Sequence, residues 1–339
     1  QDIKLSNKLN LFVGPNGSGK TNILESVSLL APGRGFKKLP LDKITKINTE
    51  LPWVIYSKYI KNDIEYNISI TYEKKENKST KKKFLVNGQK EEKKNLIKFK
   101  PIIIWFIPEM EKLFNDQPFL RRNFIDRITY SFDPTILKLL NLYKKLINER
   151  NEILKRNNNF NWLDNVEGEI AKLGLEITKK RHATIKIINN TFEEIESKKI
   201  SIDKCILKYI SNKNKIDLNE ISIKKYKEEL IQSRKEDLIK GGCKIGPHKS
   251  DIEVYFTKNS LEASYCSTAQ QKEIILNILL CQCHHLINHY NISPIVLLDE
   301  VCSHLDANTR TLILKLTNWL EIQVLLTGTD ESLFSILSK

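Results

Sequence analysis

The chain has 339 residues, 40% of them hydrophobic, and 55 Lys and Arg stand against 41 Asp and Glu for a net charge of +14. That length and apolar content suit two or three domains with real cores, and the basic excess suits a polyanionic partner such as nucleic acid. The longest apolar runs, 102–107 and 295–298, fall far below the roughly 20 residues that cross a bilayer, so no membrane association is expected.

No positively charged leader with a following apolar stretch opens the chain, so secretion is not expected. It starts on Gln1 with a strand and a glycine loop close behind, and we expect the natural N-terminus to lie upstream. Cys205, Cys243, Cys266, Cys281, Cys283 and Cys302 lack framework spacing and fit reduced thiols.

In chain order, Asn10–Val13 is a short apolar strand running into Gly14–Thr21, and Thr21–Leu30 has helical apolar spacing. Residues 51–72 alternate as strands around a turn at 61–63, and Asn87-Gly88 marks a second hairpin. Residues 71–100 hold eleven lysines against four glutamates, a local +7, which fits a solvated hairpin or a DNA contact equally well. Pro101–Pro108 is a continuous apolar run of buried-strand type.

The pattern then turns helical. Asp133-Pro134 reads as a cap and first helical residue, after which Ile136, Leu140, Tyr143, Ile147 and Leu154 recur at steps of three and four, interrupted at Arg150. A polar break at 157–159 leads to a second periodic stretch through Val166, Ile170, Leu173, Ile177 and Ile188, with Asp164 and Glu167 as a capping pair at its start. Two such helices make an antiparallel hairpin, either a projecting arm or one layer of a helical domain. Beyond Gly241-Gly242 the strand–helix texture returns. Strands are expected at Ile252–Phe256, Pro294–Leu298 and Val324–Thr327, and helices at Thr268–Ile287 and Ala307–Trp319. Cys281, Cys283, His284 and His285 lie in a helical run without a second ligand pair, so helix packing is expected there and not zinc.

Three segments carry chemistry. Gly14-Pro15-Asn16-Gly17-Ser18-Gly19-Lys20-Thr21 satisfies GxxxxGK[ST], and Asn22 completes the nucleotide-binding segment. Its glycines turn backbone N–H groups inward around phosphates, Lys20 neutralises the β- and γ-phosphates of ATP, and Thr21 offers its hydroxyl to Mg²⁺. The apolar strand 294–298 ends in Asp299-Glu300, where Asp299 would hold Mg²⁺ and Glu300 would orient and deprotonate the attacking water. Tyr265–Lys272 opens a helix on Ser267 and resembles the ABC-type signature in outline, which implies that the Ser267 hydroxyl and the helix N-terminus would donate to the γ-phosphate of ATP held by a second protomer. The catalytic set is therefore Glu300, Lys20 and Ser267.

These segments resemble ABC-type ATPases. Ser303–Asp306 is similar to their D-loop and 265–272 to their signature, with Ala269 in place of the usual glycine; alanine resists positive φ, so the contact across a dimer is expected to weaken. The fold class expected is α/β, an ABC-type P-loop ATPase head split by a helical, coiled-coil-like hairpin arm. Its parts are a head over 1–115, an arm over 116–235 and the rest of the head over 236–339.

More specifically, the chain resembles the RecF family of bacterial repair ATPases, related to SMC and Rad50 heads. Gly14–Glu25, Pro32–Phe36, Pro118–Asp126, Tyr143–Leu154, Gly246–Asp251, Ser267–Lys272 and Pro294–Asp306 carry the resemblance. It implies a cytoplasmic DNA replication and repair protein of the SOS response. Such a protein forms an ATP-dependent homodimer with slow hydrolysis, engages gapped DNA and single-strand–duplex junctions, and works with RecR and RecO to load recombinase. Arg34, Arg121 and Arg122 are then candidate phosphate contacts or surface ion pairs, and His248 is either a loop anchor or a functional group. Lys249 and Ser250 stand where the family usually has Arg and Asp, and the segment expected to help bind adenine is absent from this sequence. A transporter ATPase would carry its acidic strand about a hundred residues after the loop, whereas roughly 280 intervene here. A non-hydrolysing DNA scaffold is the other rival, kept in view by Ala269 and opposed by the presence of Lys20, Thr21, Asp299 and Glu300.

Overall fold

The computed structural model describes residues 2–44, 52–61, 63–72, 83–90, 99–156, 160–198, 200, 202–211, 222–301, 311, 313 and 315–329. The Ser303–Asp306 segment, most of the lysine-rich stretch, Cys302 and most of the helix expected over Ala307–Trp319 lie outside the described residues. By packing, the chain divides into one unit of Gln1–Met110 with Ile287–Lys339 and a second of Glu111–Leu286.

The first unit is built on a parallel sheet. Strands β1 (Leu9–Val13), β6 (Ile103–Phe106), β10 (Ile295–Leu298) and β11 (Gln323–Gly328) take the order β1-β11-β10-β6. Val296 pairs with Val324 and Ile104, and Leu11 with Leu326. Strands β6 and β10 are buried along their whole length, which is why both are unbroken apolar runs and not alternating ones. Helix α1 (Lys20–Ser28) packs on β11 through a face that includes the fully buried Leu24, and a single-turn α2 (Leu41–Ile44) follows it. The unit also holds an antiparallel meander of β2 (Trp53–Lys61), β3 (Ile64–Tyr72), β4 (Lys83–Val86) and β5 (Gln89–Lys90). In β2 burial alternates along the strand, as a half-covered sheet requires. The last hairpin turns at Asn87-Gly88, both at positive φ (50° and 79°), the two-residue turn that their sequence favours.

The second unit is mainly helical: α3 (Pro118–Phe132), α4 (Ile136–Arg156), α5 (Phe160–Ser197), α6 (Ile223–Gln232), α7 (Arg234–Lys240) and α8 (Thr268–Tyr290), the last running on past the unit boundary. Between α3 and α4, the Asp133 carboxylate accepts from the Thr135 N–H at 3.0 Å, turning the chain one residue before α4 begins. Helices α4, α5 and α6 share a core of Ile136, Leu139, Tyr143, Ile170, Leu175, Tyr226 and Leu230. Gly174 permits this approach, since a Cβ there would stand 2.7 Å from the Tyr226 ring. Three antiparallel strands, β7 (Cys205–Ile210), β8 (Asp251–Phe256) and β9 (Leu261–Glu262), complete the unit. Helix α8 is buried on every side from Gln271 to His284, so Cys281 and Cys283 are packed thiols that burial pushes above the usual cysteine range. Residues 236–286, which their strand–helix texture assigns to the head, pack with this second unit.

Two expectations are corrected here. Helix α5 starts at Phe160, so Asp164 and Glu167 lie inside it and cap nothing. Glu167 instead accepts from Arg150 Nε at 2.9 Å and Arg234 at 2.6 Å, while Asp164 pairs with Arg234. The interruption at Arg150 thereby finds its cause. The Arg150 side chain is fully buried and also bonds Asp237 at 2.7 Å and the Leu230 carbonyl at 2.8 Å, cross-linking α4, α5, α6 and α7. The second correction concerns Ala269, which lies within α8 and is absent from the residues at positive φ. The left-handed backbone that alanine resists is not required at this position.

Candidate nucleotide site

At the carboxyl end of the parallel sheet, β1 passes into the loop 14–19 and on into α1. Gly17 and Gly19 sit at φ 82° and 94°, a backbone that side chains resist, and they let the loop curl back over the start of α1. Lys20 is almost wholly buried; its ammonium donates to the carbonyls of Gly14 (2.6 Å) and Pro15 (2.9 Å), which holds it under the loop. Successive N–H groups and the amino end of α1 make this concavity a place for anionic oxygens.

Two strands across, β10 delivers Asp299 to the same rim. Thr21 Oγ1 donates to Asp299 Oδ1 at 3.1 Å, across 278 residues of sequence. Asp299 Oδ1 also accepts from Thr327 Oγ1 at 2.8 Å, and the Glu300 N–H donates to that same threonine oxygen at 2.9 Å. Glu300 stands at φ 48°, a left-handed turn directly after the strand. Thr327 was not singled out by sequence reasoning, since a lone threonine near the end of an apolar strand belongs to no motif.

The oxygens suit Mg²⁺. An octahedral ion bonds oxygens at about 2.0–2.1 Å, so two neighbouring ligands lie roughly 2.9 Å apart. The Thr21 and Asp299 oxygens, at 3.1 Å, match one edge of that figure. Among the described residues there is no group of three or more His, Cys, Asp or Glu that would hold a transition metal instead.

Next to α1, the loop carrying Arg34 is fixed from beneath. Glu25 Oε2 accepts from the N–H groups of Phe36 and Lys37, both at 3.2 Å, and from Ser28 Oγ at 3.0 Å. Burial raises the Glu25 carboxyl above its usual range despite those donors and the Lys37 charge. Arg34 itself is exposed. Asn22, also exposed, accepts from Lys37 Nζ at 3.4 Å.

The remaining singled-out residues belong to the second unit. Ser267 caps α8 reciprocally: its hydroxyl accepts from Gln270 N at 3.3 Å, and its own N–H donates to Gln270 Oε1 at 3.0 Å. Because the hydroxyl accepts in this box, its proton stays available to a ligand. Arg121 forks onto both oxygens of Asp251 at 2.8 Å and donates to the carbonyls of Leu113, Phe114 and Asp116. Arg122 donates to the Ser250 carbonyl. Both arginines are thus structural partners of the 246–251 segment. His248 is an anchor as well: Nε2 bonds the Cys243 carbonyl and Nδ1 the Tyr143 hydroxyl, each at 2.9 Å. Burial pushes its pKa down to about 4, so the ring is neutral, donating at Nε2 and accepting at Nδ1. Gly246, at φ 133°, leaves room for the Tyr143 and Tyr226 hydroxyls that a Cβ would strike.

A phosphate loop and an acidic strand end, with one strand between them in a parallel sheet, define a P-loop ATPase domain of the AAA and ABC class. A family model described as an AAA domain matches residues 1–239. The DNA replication and repair protein RecF of Rickettsia akari (strain Hartford) is 33% identical over 334 residues, covering 97% of this chain and 90% of its own length. That of Rickettsia prowazekii (strain Madrid E) is 34% identical over 337 residues with the same coverage. A solved structure of the recombination mediator protein RecF with ATP, in the RecFOR pathway, superposes with a TM-score of 0.83 at 26% identity, covering 98% of this chain and 88% of that one. An Smc head domain from Pyrococcus furiosus, at 16% identity and a TM-score of 0.50 with 98% and 86% coverage, shares the fold. The chain belongs to the RecF family of DNA replication and repair proteins. Among the described residues, no helix is long and apolar enough to cross a membrane.

Proposed function

We propose that the chain is a cytoplasmic, ATP-dependent DNA-binding protein of recombinational repair and replication restart. In this reading two protomers close around two ATP molecules, the closed homodimer engages gapped DNA and single-strand–duplex junctions, and slow hydrolysis releases it. The observation that carries the reading is the Thr21–Asp299 contact, which joins the phosphate loop to the acidic strand at a spacing that accepts Mg²⁺. Functionally we place the head at 1–115 and 236–339 and the arm at 116–235.

The roles follow from the chemistry. Backbone N–H groups of 14–19, with Lys20, bind and neutralise the β- and γ-phosphates, Asn22 lies beside them on α1, and Thr21 and Asp299 hold the metal. Mg²⁺, when bound, draws charge from the phosphate oxygens. Glu300 orients the attacking water and takes its proton. Ser267 and the amino end of α8 reach the γ-phosphate held by the second protomer, so that ATP itself links the two copies. The net charge of +14 makes DNA binding mainly a matter of phosphate contacts, sensitive to salt and tolerant of sequence. Solved RecF is described as a recombination mediator of the RecFOR pathway, which supports RecO and RecR as partners here and recombinase loading as the outcome.

The test is fluorescence anisotropy on gapped and on uniform duplex DNA, with and without ATP–Mg²⁺, at low and near-physiological salt (about 50 and 200 mM). Tighter binding to the gapped substrate that needs ATP and weakens with salt is expected. Equal affinity for both substrates, or no response to ATP, would overturn the reading.

A further inference from the structure

We propose that Thr327 is a positioning residue for hydrolysis, whose single hydroxyl sets the geometry of Asp299 and Glu300 together. This rests on the hydrolase reading above. Strand β11 lies between the strand that leads into the phosphate loop and the strand that ends in the acids. Leu326 pairs with Leu298, so Thr327 stands level with the point where Asp299 leaves the sheet. The side chain is wholly buried there.

A hydroxyl has one proton and two lone pairs. An ionised carboxylate only accepts, so the Thr327 proton goes to Asp299 Oδ1, at 2.8 Å, and a lone pair is turned toward the Glu300 N–H, at 2.9 Å. The second bond matters because Glu300 is a non-glycine residue at φ 48°. Such a backbone is disfavoured for a residue with a side chain and persists only where its surroundings hold it. The Thr327 oxygen supplies that hold, and the turn decides where the Glu300 carboxylate points. The first bond fixes Asp299 on the same oxygen atom that Thr21 reaches. A displacement of the metal ligand is therefore passed to the general base through one atom.

Packing alone would also explain a buried threonine at a strand end, and three substitutions separate the two accounts. Thr327→Val keeps the shape and removes the hydroxyl, Thr327→Ser keeps the hydroxyl and removes the methyl, and Thr327→Ala removes both. The measurements are ATP affinity, kcat and the Mg²⁺ concentration giving half-maximal turnover, with thermal melting as the check on folding. Thr327→Val is expected to bind ATP within about twofold of the parent while kcat falls about 10²-fold, the scale of a misplaced catalytic group. Its Mg²⁺ requirement is expected to rise. Thr327→Ser restores kcat although it is the worse packer, and Thr327→Ala, which also covers the case of a poorly folding valine variant, behaves as Thr327→Val. Parental turnover in Thr327→Val or Thr327→Ala, or a serine variant as slow as either, overturns the proposal. Glu300→Gln separates this from the wider reading. If it abolishes turnover while Thr327→Val does not, only the role of Thr327 fails; if it turns over like the parent, the hydrolase reading falls with it.

Discussion

Thr21 and Asp299 meet through a 3.1 Å hydrogen bond, although 278 residues of chain separate them. The contact forms because β1 and β10 run parallel with a single strand between them, so both deliver their carboxyl ends to one rim. A ligand that bridges these two oxygens stabilises the head as a unit. Thr21→Val is therefore expected to raise the Mg²⁺ concentration needed for tight ATP binding about tenfold or more, the effect typical of losing a group at a metal site. Binding of ATP in the presence of a chelator should change little. Calorimetric titration with and without Mg²⁺ measures both; an unchanged metal requirement would remove Thr21 from the site.

Arg150 joins four helices from inside the second unit, with both it and Glu167 fully buried. Replacing it with Met fills the space but takes the Arg150 cation from Asp237 and leaves Glu167 with Arg234 alone. Breaking a buried pair from one side costs about 3–5 kcal/mol. Denaturant unfolding of Arg150→Met is expected to show a loss on that scale. A change under about 1 kcal/mol would mean that Arg234 suffices for Glu167, and the Ser233 hydroxyl and Lys244 N–H for Asp237.

The anchor at His248 predicts a pH dependence. Its folded pKa is lowered from 6.5 to about 4 by burial, so between those values the unfolded chain binds a proton that the native fold refuses. Its contribution to stability is complete above about pH 6.5, falls as pH drops toward 4, and changes no further below that. Unfolding midpoints measured for the parent and for His248→Gln should diverge in slope across this window, the parent losing stability more steeply as acid is added. Parallel slopes would contradict a neutral buried ring.

Much of the site is legible in the sequence because its chemistry is local. The loop 14–21 and the pair Asp299–Glu300 are each contiguous, and each announces its flanking strand. Thr327 was not legible, because its role exists only when β11 falls between two strands distant in sequence. Arg150 was visible as a break in an apolar pattern, but its partners come from helices up to 87 residues away. Asp164 and Glu167 misled for a related reason. Their spacing imitates a cap, and only the tertiary pairing with Arg234 and Arg150 shows that the helix had already begun. Arg121 and His248, equally open to functional and anchoring roles in sequence, are decided by Asp251, Tyr143 and the Cys243 carbonyl, all more than a turn away or on another element.

The proposed function requires that ATP link two copies through the loop at 14–21. Light-scattering mass in solution, measured for the parent and for Lys20→Met with and without ATP–Mg²⁺, tests this most directly. The parent should move from monomer to dimer on adding nucleotide, and Lys20→Met should remain monomeric under both conditions. A Lys20→Met variant that dimerises with ATP as the parent does, or a parent whose mass ignores ATP, would contradict it.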